Sequence, residues 1–409
     1  MKNSSLKPGP LDGIRILDLT SVMMGPYCTQ VLADMGADVI KIEAPAGDTS
    51  RGVPPFRDSG TGSQFRSMHR GKRGIVIDLQ KPDGLTAFMD LVGTADVVVH
   101  SMRPQAVAKL GIAYADLVAA NPSIICCNFL GFGRGGPYAG GAAYDDIIQA
   151  CSGLVMLQDE LLGEPNYIPT VLADKVTGLT GVYAILAALL HRDRTGEGQD
   201  VDVPMFETLT SFVLIEHLAG QGFEPPIGRP VYPRVVTPSR KPFRTADGYL
   251  AVLVYNDKQW RRFAELAGRP ELIDDPRYAT LTARSNNVLE WNGTVAEILA
   301  TRTNQEWMQL LWAADIPAMR LNRTDDLFTD PHLAEVNFFQ LVDDPVDGTM
   351  RFPKPPVQFS RTPGGFDRAG PLLGEHTVEI LREAGIDESR ITAMLANGSI
   401  AQPERPPRA

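Results

Sequence analysis

PTVLADKVTGLTGVYAILAALLHRDRTGEGQDVDVPMFETL, residues 169–209, is the stretch around which this chain is organised. Its first half is apolar almost all round a helical repeat, which predicts a buried helix. A basic last turn followed by Gly196 and Gly198 marks the end of that helix. The alternation at 201–203 then predicts a short strand. The stretch therefore predicts a buried helix followed by a short strand.

Asp174 stands at the start of this helix, and its position alone leaves two interpretations open. An Asp just before a helix can cap it by accepting a bond from backbone N–H groups. A carboxylate at such a point can also be a nucleophile. The local pattern favours the cap. The nucleophile would need support from residues elsewhere in the chain.

The composition describes an acidic, soluble, globular protein. The 409 residues are too many for one compact core, so we expect two domains. The formal net charge of −10 argues against nucleic acid or an anionic membrane as the main partner. The four cysteines lack metal spacing and the six histidines form no HExxH pair, so we expect no metal. We find no segment that approaches a membrane span and no signal peptide, which predicts a cytoplasmic protein.

Strands and helices alternate over the first third of the chain. Apolar runs predict strands at 15–19, 38–43, 74–79, 95–99 and 123–129, with helices from Gly25 to about Met35, over 82–92 and after Pro104. This order predicts a doubly wound, Rossmann-like α/β domain with a parallel sheet. Ligands of such sheets bind beyond the carboxyl ends of the strands, which points to the loops after Glu43, Val99 and Phe129.

The domain organisation follows from shifts in composition. We predict a first part of the large domain at 1–222, a linker at 223–240, a smaller α+β domain at 241–330, a return linker at 331–363 and a C-terminal part at 364–409 that completes the large domain. The tail AQPERPPRA, residues 401–409, is expected to be disordered. The glycine-rich loop at 131–137 matches neither a dinucleotide fingerprint nor a P-loop and is typical of a flexible connector.

Basic residues gather near the predicted strand ends. They are Arg66, Arg70, Lys72 and Arg73 before the third strand and Arg103 and Lys109 after the fourth. In an acidic chain this local excess suits a phosphorylated ligand, but it equally suits an ordinary solvated surface.

Several long blocks, in order from about Pro10 to Ile391, resemble the class III CoA-transferases, which include carnitine CoA-transferase, formyl-CoA:oxalate transferase and 2-methylacyl-CoA racemase. The blocks are LDLTSVMMGPYCTQVLADMGADVIKIE (17–43), RGKRGIVIDL (70–79), ADVVVHSMRPQAVAKLGI (95–112), GFGRGGPYAGGAAYDDIIQACSG (131–153), RTGEGQDVDV (194–203) and PLLGEHTVEIL (371–381). The resemblance implies an enzyme that moves CoA from an acyl-CoA to a carboxylic acid, with CoA as substrate and no metal.

The resemblance also implies a role for Asp174, which stands in the family's D-x-x-[TS]-G context with Thr177 and Gly178. Its carboxylate would attack the thioester, forming a mixed anhydride and then an aspartyl-CoA thioester. We expect the helix N-terminus to keep Asp174 ionised and to offer N–H groups to an oxyanion. The family further implies a homodimer whose two subunits interlock like chain links.

The residues carried over as CoA contacts lie in five segments. They are Met23 and Met24, Met68 to Lys72 with Arg70, Ser101 to Arg103 with Met102, Lys109, and Gly141 to Tyr144. The formyl-CoA enzyme has an arginine and a lysine where this chain has Ala44 and Ala142, so Arg70, Lys72 or Lys109 would have to supply those phosphate contacts.

Two alternatives to CoA transfer remain at this point. The racemase branch needs a His–Asp pair for proton removal and return, but its histidine position is Tyr144 here. The second alternative is a non-catalytic scaffold that binds CoA. The presence of Asp174 at the family's catalytic position argues against a non-catalytic role.

The acid substrate is suggested by VYPRVVTPSRKPFR, residues 231–244, which replaces the glycine-rich loop that covers oxalate in the formyl-CoA enzyme. Its four cations are Arg234, Arg240, Lys241 and Arg244. Arginines suit bidentate carboxylate recognition, which predicts a dicarboxylic acid such as a succinyl-type donor. An ordinary basic linker explains the same residues equally well.

Overall fold

A computed structural model describes residues 8–403. Its strands are Arg15–Leu19 (β1), Asp38–Glu43 (β2), Arg73–Ile77 (β3), Val97–His100 (β4), Ile125–Leu130 (β5), Asp200–Pro204 (β6), Phe243–Arg244 (β7), Tyr249–Val252 (β8), Ala318–Arg320 (β9), Phe339–Asp344 (β10), Gly348–Pro353 (β11) and Ile400–Ala401 (β12). Its α-helices are Met24–Asp34 (α1), Ser63–Met68 (α2), Pro82–Val92 (α3), Pro104–Leu110 (α4), Tyr114–Ala120 (α5), Asp145–Cys151 (α6), Leu154–Leu162 (α7), Leu172–Thr195 (α8), Met205–His217 (α9), Asp257–Leu266 (α10), Leu281–Asn286 (α11), Val288–Leu299 (α12), Asn304–Ala313 (α13), Pro331–Glu335 (α14), Thr377–Glu383 (α15) and Glu388–Ala396 (α16).

The chain divides into two compact units. The large unit contains the residues up to 152, residues 168–212 and those from 336, and the small unit contains 153–167 and 213–335. The domain limits expected from the sequence stay a prediction. They differ from these units at 153–167 and at the expected return linker, where β10 and β11 form an antiparallel hairpin.

A mixed, mainly parallel sheet forms the centre of the large unit, in the order β12-β3-β2-β1-β4-β5-β6. The first six strands of the chain are parallel because helices connect them. β1 to β5 are buried over most of their length, whereas β6 at the edge is largely exposed. One face packs against α3, α5, α15 and α16. The prediction of a parallel sheet is therefore correct for the centre and wrong at one edge.

That edge strand, β12, runs antiparallel to β3 and pairs Ile400 with Ile77. Only its second residue, Ala401, falls in the tail that the sequence predicts to be disordered. Ala401 belongs to the strand, and 404–409 lie outside the described residues.

The long helix α8 packs against α1 and the sheet through its glycines. A Cβ on Gly178 would stand 2.7 Å from the Met24 carbonyl oxygen, and one on Gly181 would stand 2.3 Å from Phe129. The opposite face is exposed, since Leu179, Tyr183 and Leu190 remain at the surface of the single chain. The expectation of burial all round the helix is therefore wrong.

The expectation that no segment approaches a membrane span is wrong for α8. By length and composition alone this helix could cross a membrane, although the core helix of a soluble protein satisfies the same criteria. Its glycine-lined face is occupied by α1 and Phe129, which is the environment of a core helix.

The small unit has its own apolar core, centred on Trp260, Phe263 and Trp307. β7, β8 and β9 form a three-stranded antiparallel sheet, and helices α10, α12 and α13 contribute to the aromatic core. This is an α+β arrangement.

Candidate active site

A crevice lies at the carboxyl ends of β1 and β4, where the strand order of the sheet reverses. A cavity of about 250 Å³ is lined there by the ends of β1, β2 and β3, including Thr20, Ala44 and Leu79. A second, of about 310 Å³, is lined by 101–105 and by the glycine-rich loop. Met102 lines both, so the crevice offers one apolar contact point to a long ligand.

Three predicted CoA contacts lie in this crevice: Ser101, Met102 and Arg103. The Ser101 hydroxyl accepts a 3.3 Å bond from the Ser21 backbone N–H, which ties the loop after β4 to the loop after β1. Arg103 is exposed and has no ion pair within residues 8–403. Lys109 is exposed on α4 and likewise unpaired in that range, but it lines neither cavity.

The structure places Lys72 and Arg70, two of the predicted CoA contacts, in internal ion pairs. Lys72 is fully buried, with its ammonium 3.0 Å from the Asp18 carboxylate and 2.7 Å from the Thr29 hydroxyl. Arg70 is buried against Asp34 at 2.7 Å. Both cations are held by buried carboxylates in this structure, and their contact with CoA phosphates stays a prediction.

The two other basic residues of that sequence cluster are paired as well. Arg66 contacts Asp344 and Asp347, and Arg73 contacts Asp38 at 2.7 Å. The run of charges that resembled a phosphate site before β3 is therefore a set of structural ion pairs. Sequence alone could not show this, because the acidic partners lie far away along the chain.

The remaining predicted contacts lie at helix ends. Met23 precedes α1 and Met24 begins it, and Met68 is buried at the end of α2. The backbone of Met24 adjoins Gly178, one turn of α8 beyond Asp174. Tyr144 precedes α6 and is 69% exposed.

Asp174 lies in the first turn of α8, and it is not the cap of that helix. The cap residue is Val171, and the Asp174 backbone N–H donates a 3.0 Å bond to the Asp145 carboxylate. The Asp145 carboxylate therefore accepts the bond from a first-turn N–H that the side chain of an N-cap residue normally accepts. The Asp174 carboxylate has no such capping role. The same bond removes this N–H from the donors expected for an oxyanion.

Asp145 is held in place by Gln149, one turn along α6. The Gln149 amide donates a 2.6 Å bond to Asp145, and its oxygen accepts a 3.0 Å bond from the Ile168 N–H. Both side chains are buried. This network joins α6 to the segment that enters α8, so it positions Asp174.

The electrostatics of Asp174 differ from the sequence expectation. Burial, together with the neighbouring Asp145 carboxylate, raises the pKa of Asp174 to about 7. The expected effect of the helix N-terminus, which is to hold the carboxyl ionised, is outweighed. The ionised form is consequently more basic, and so more nucleophilic, than an exposed carboxylate.

Sequence reasoning missed two residues that shape the site. Asp145 could have been found from the adjacent acids of AYDD, which suit the first turn of a helix. Glu207, on α9, accepts a 2.9 Å bond from the Gly133 N–H and so restrains the glycine-rich loop. No local pattern marks Glu207, because the contact joins residues 74 positions apart.

Comparisons with known proteins agree with this architecture. Residues 11–377 match the family described as CoA-transferase family III. The chain is 38% identical over 393 residues to succinate–glutarate CoA-transferase of Agrobacterium fabrum, covering 91% of this chain and 95% of that protein. It is 33% identical to succinyl-CoA:glutarate CoA-transferase of Mus musculus, covering 97% and 91%.

A solved structure extends the likeness to three dimensions. The crystal structure of an aspartate-to-alanine mutant of Rv3272 from Mycobacterium tuberculosis superposes with a TM-score of 0.79 at 31% identity, covering 91% of this chain and 98% of that one. Family match, relatives and fold agree over nearly the whole chain. The protein is an enzyme that belongs to CoA-transferase family III.

Proposed function

We propose that this enzyme exchanges CoA between dicarboxylic acids through a covalent intermediate on Asp174. The observation that carries the mechanism is a half-buried carboxyl with a pKa raised to about 7, in the first turn of α8 and relieved of capping by Asp145. The names of the similar proteins, succinate–glutarate and succinyl-CoA:glutarate CoA-transferase, support the substrate class.

The chemistry balances in four steps. An Asp174 oxygen bonds to the acyl carbon of the donor and the carbon–sulfur bond breaks, which releases CoA thiolate. The thiolate attacks the Asp174 carbonyl carbon and frees the donor acid as a carboxylate. The acceptor carboxylate attacks the carbonyl carbon of this aspartyl thioester, and the carbon–sulfur bond breaks, which releases CoA thiolate and leaves an anhydride between Asp174 and the acceptor. The thiolate then attacks the acceptor's carbonyl carbon in that anhydride. Acyl-CoA leaves, and the Asp174 carboxylate is restored.

CoA fits the crevice at the strand ends. Its two cavities, of about 250 and 310 Å³, are both lined by Met102, and Arg103, which has no ion pair among residues 8–403, lines the second. Apolar surface beside a free guanidinium suits a nucleotide with phosphate groups. We include Ser101, Met102 and Arg103 in the CoA site, and Lys109 on α4 as an approach charge.

The exchange assay tests the substrate class. Succinyl-CoA and glutarate, incubated with the enzyme, should yield glutaryl-CoA and free succinate, detected by mass spectrometry. Acetate and hexanoate should react at least tenfold more slowly, because a site that pairs a second carboxylate rejects acids lacking it. Exchange that is faster with the monocarboxylates would contradict the proposed dicarboxylate preference.

We also propose that two copies of the chain form an interlocked homodimer. Leu179, Tyr183 and Leu190 share one face of α8, and Tyr183 is 63% exposed. A continuous apolar stripe on a long helix suits burial by a second protein surface.

The dimer has a measurable signature. Native mass spectrometry should find twice the 44.5 kDa chain mass. When tagged dimers are mixed with untagged dimers, the two should not exchange subunits unless the protein unfolds. The double variant Leu179→Asp, Tyr183→Asp should lower the assembled fraction, because it would bury charge at the contact. A wild-type enzyme active at the single-chain mass would refute the dimer.

A further inference from the structure

The turn between β1 and α1, residues 20–23, contains a valine in a conformation that valine avoids. Val22 has a φ of 69°, and among the non-glycine residues of positive φ in residues 8–403 it is the one with a β-branched side chain. This φ brings Cβ too close to a backbone carbonyl oxygen, whereas glycine adopts it at no steric cost. A residue keeps such a conformation only where the surrounding structure holds it.

The Asp48 carboxylate holds Val22 in this conformation. Its two oxygens accept the Val22 backbone N–H at 3.3 and 3.2 Å. The Ser50 backbone N–H and hydroxyl donate to the same carboxylate at 2.9 and 2.7 Å, and the Lys41 ammonium lies 3.1 Å away. Burial raises the pKa of Asp48, but the charge of Lys41 and the bonds from Ser50 outweigh it and lower that pKa below the ordinary value. Val22 is therefore bound by an ionised carboxylate.

The ion pair of Asp48 and Lys41 contacts the turn at a second point. The Lys41 ammonium also donates to the Thr20 carbonyl oxygen, so the pair binds the turn on both sides of residue 21. Both side chains of the pair are 1% exposed. Thr20 in turn packs closely on α1, since a Cβ on Gly25 would stand 2.3 Å from its side chain. A buried ion pair thus restrains the whole turn.

The restrained turn forms part of the crevice at the strand ends. Thr20 and Ser21 line its cavity of about 250 Å³. The Ser21 N–H donates a 3.3 Å bond to Ser101, which lines the other cavity. At its far end the turn enters α1, where the Met24 carbonyl adjoins Gly178 of α8. Relaxation of the turn would therefore move a wall of the crevice and the start of α1.

We propose that Asp48 is a positioning residue for CoA: by holding Val22 in its strained conformation, it fixes the crevice wall against which CoA binds. The inference rests on the proposed CoA site at the strand ends. Asp48 acts through the Val22 backbone and needs no bond to the ligand. Glycine at position 22 would remove the strain but would leave the turn free to adopt other conformations, which CoA binding would then have to order.

Calorimetric titration of the full-length enzyme with CoA tests this role. Asp48→Asn keeps the size of the side chain but removes the charge and one acceptor oxygen, so the turn should relax and CoA should bind about tenfold more weakly or worse. Ser50→Ala is the matched control, because it removes a 2.7 Å bond to the same carboxylate and leaves the bonds to Val22. Its affinity should stay within about threefold of wild type. Lys41→Met with Asp48→Asn, which removes both buried charges, serves if Asp48→Asn fails to fold.

A substitution of Val22 separates positioning from a general loss of structure. Val22→Gly, added to Asp48→Asn, should restore CoA affinity about threefold or more, because glycine adopts positive φ without the carboxylate. Val22→Ala in the same background retains a Cβ and should restore less. Wild-type affinity in Asp48→Asn, or no recovery with glycine, would overturn the proposal. Equal recovery with alanine and glycine would overturn it too, because the bulk of the side chain would then be the cause.

Arg103→Gln distinguishes a failure of this role from a failure of the proposed CoA site. If Arg103→Gln weakens CoA binding and Asp48→Asn does not, the CoA site stands and the role of Asp48 is wrong. If neither variant weakens CoA binding, the proposed CoA site is wrong and the role of Asp48 falls with it. The readout is binding of CoA alone, so it does not depend on covalent chemistry at Asp174.

Discussion

Replacing Asp174 by asparagine should abolish CoA transfer, with kcat lowered by at least about 10⁴-fold, since removal of a covalent nucleophile removes the reaction path itself. The amide keeps the size and most of the contacts of the carboxyl. The measurement is the rate of CoA exchange between succinyl-CoA and glutarate for both proteins, with the fold monitored by circular dichroism.

The covalent step gives a second readout. Wild-type enzyme incubated with an acyl-CoA and quenched with hydroxylamine or borohydride should carry a modification on the peptide containing Asp174, located by mass spectrometry. Asp174→Asn should carry none. Full transferase activity in Asp174→Asn, or an adduct on another residue, would refute the mechanism.

The same substitution should increase stability at high pH. Because the folded-state pKa of Asp174 is raised to about 7, the folded protein holds the proton more tightly than the unfolded chain does. Stability from this group is complete below the unfolded value near 4 and is lost as the pH rises through about 7. Asp174→Asn should therefore melt at a higher temperature than wild type at pH 8, and the two should converge near pH 4.

Asp145→Asn is the matched control for these experiments. Its amide oxygen can still accept the bond from the Asp174 N–H, although its NH2 group replaces the oxygen that accepts from Gln149. The like charge that helps to raise the pKa of Asp174 is gone. Activity should persist, and the acid limb of kcat/KM, where Asp174 becomes protonated, should move to lower pH. An unmoved limb would show that the charge of Asp145 has no part in setting that pKa.

Local sequence patterns were sufficient for the parts of the fold that rest on local rules. The apolar runs of β1, β2 and β5 and the glycine stop of α8 follow from burial and from backbone conformation at Gly196, so their positions could be predicted. The small edge strand β12 could not, because two residues of pairing leave no periodic signal. The exposed face of α8 could not either, since an apolar stripe looks alike whether the chain's own core or another surface covers it.

The candidate site likewise has parts that could be predicted from the sequence and parts that could not. The loops after β2, β4 and β5 were predicted as ligand positions from sheet topology, and the crevice cavities lie there. The role of each cation depends instead on distant partners: Lys72 meets Asp18 and Arg70 meets Asp34, contacts that span 54 and 36 positions. Resemblance placed these residues in a CoA-binding segment, but only the three-dimensional contacts separate interior ion pairs from a cation such as Arg103, which has no ion pair in the described part of the chain.

Replacing Lys72 by methionine should lower the free energy of unfolding by about 3–5 kcal/mol, because it would leave the Asp18 carboxylate buried without its cation. Burial alone would raise the pKa of Asp18, but Lys72 and Lys41, together with hydrogen bonds from Thr20 and Thr29, outweigh it and lower that pKa to about 2. Burial lowers the pKa of Lys72 to about 8 despite Asp18. Loss of the lysine alone is the damaging change, because it leaves the buried carboxylate with one compensating cation fewer.

Urea unfolding at pH 7 measures this effect, and a second substitution separates the two roles of Lys72. Asp18→Asn combined with Lys72→Met removes both charges, so the double variant should recover part of the lost stability. Lys109→Gln, an exposed cation on α4, should leave stability within about 0.5 kcal/mol of wild type. If Lys72→Met instead unfolds like wild type and only raises the Michaelis constant for acyl-CoA, then Lys72 reaches the phosphates. The ion pair with Asp18 would in that case be secondary to substrate binding.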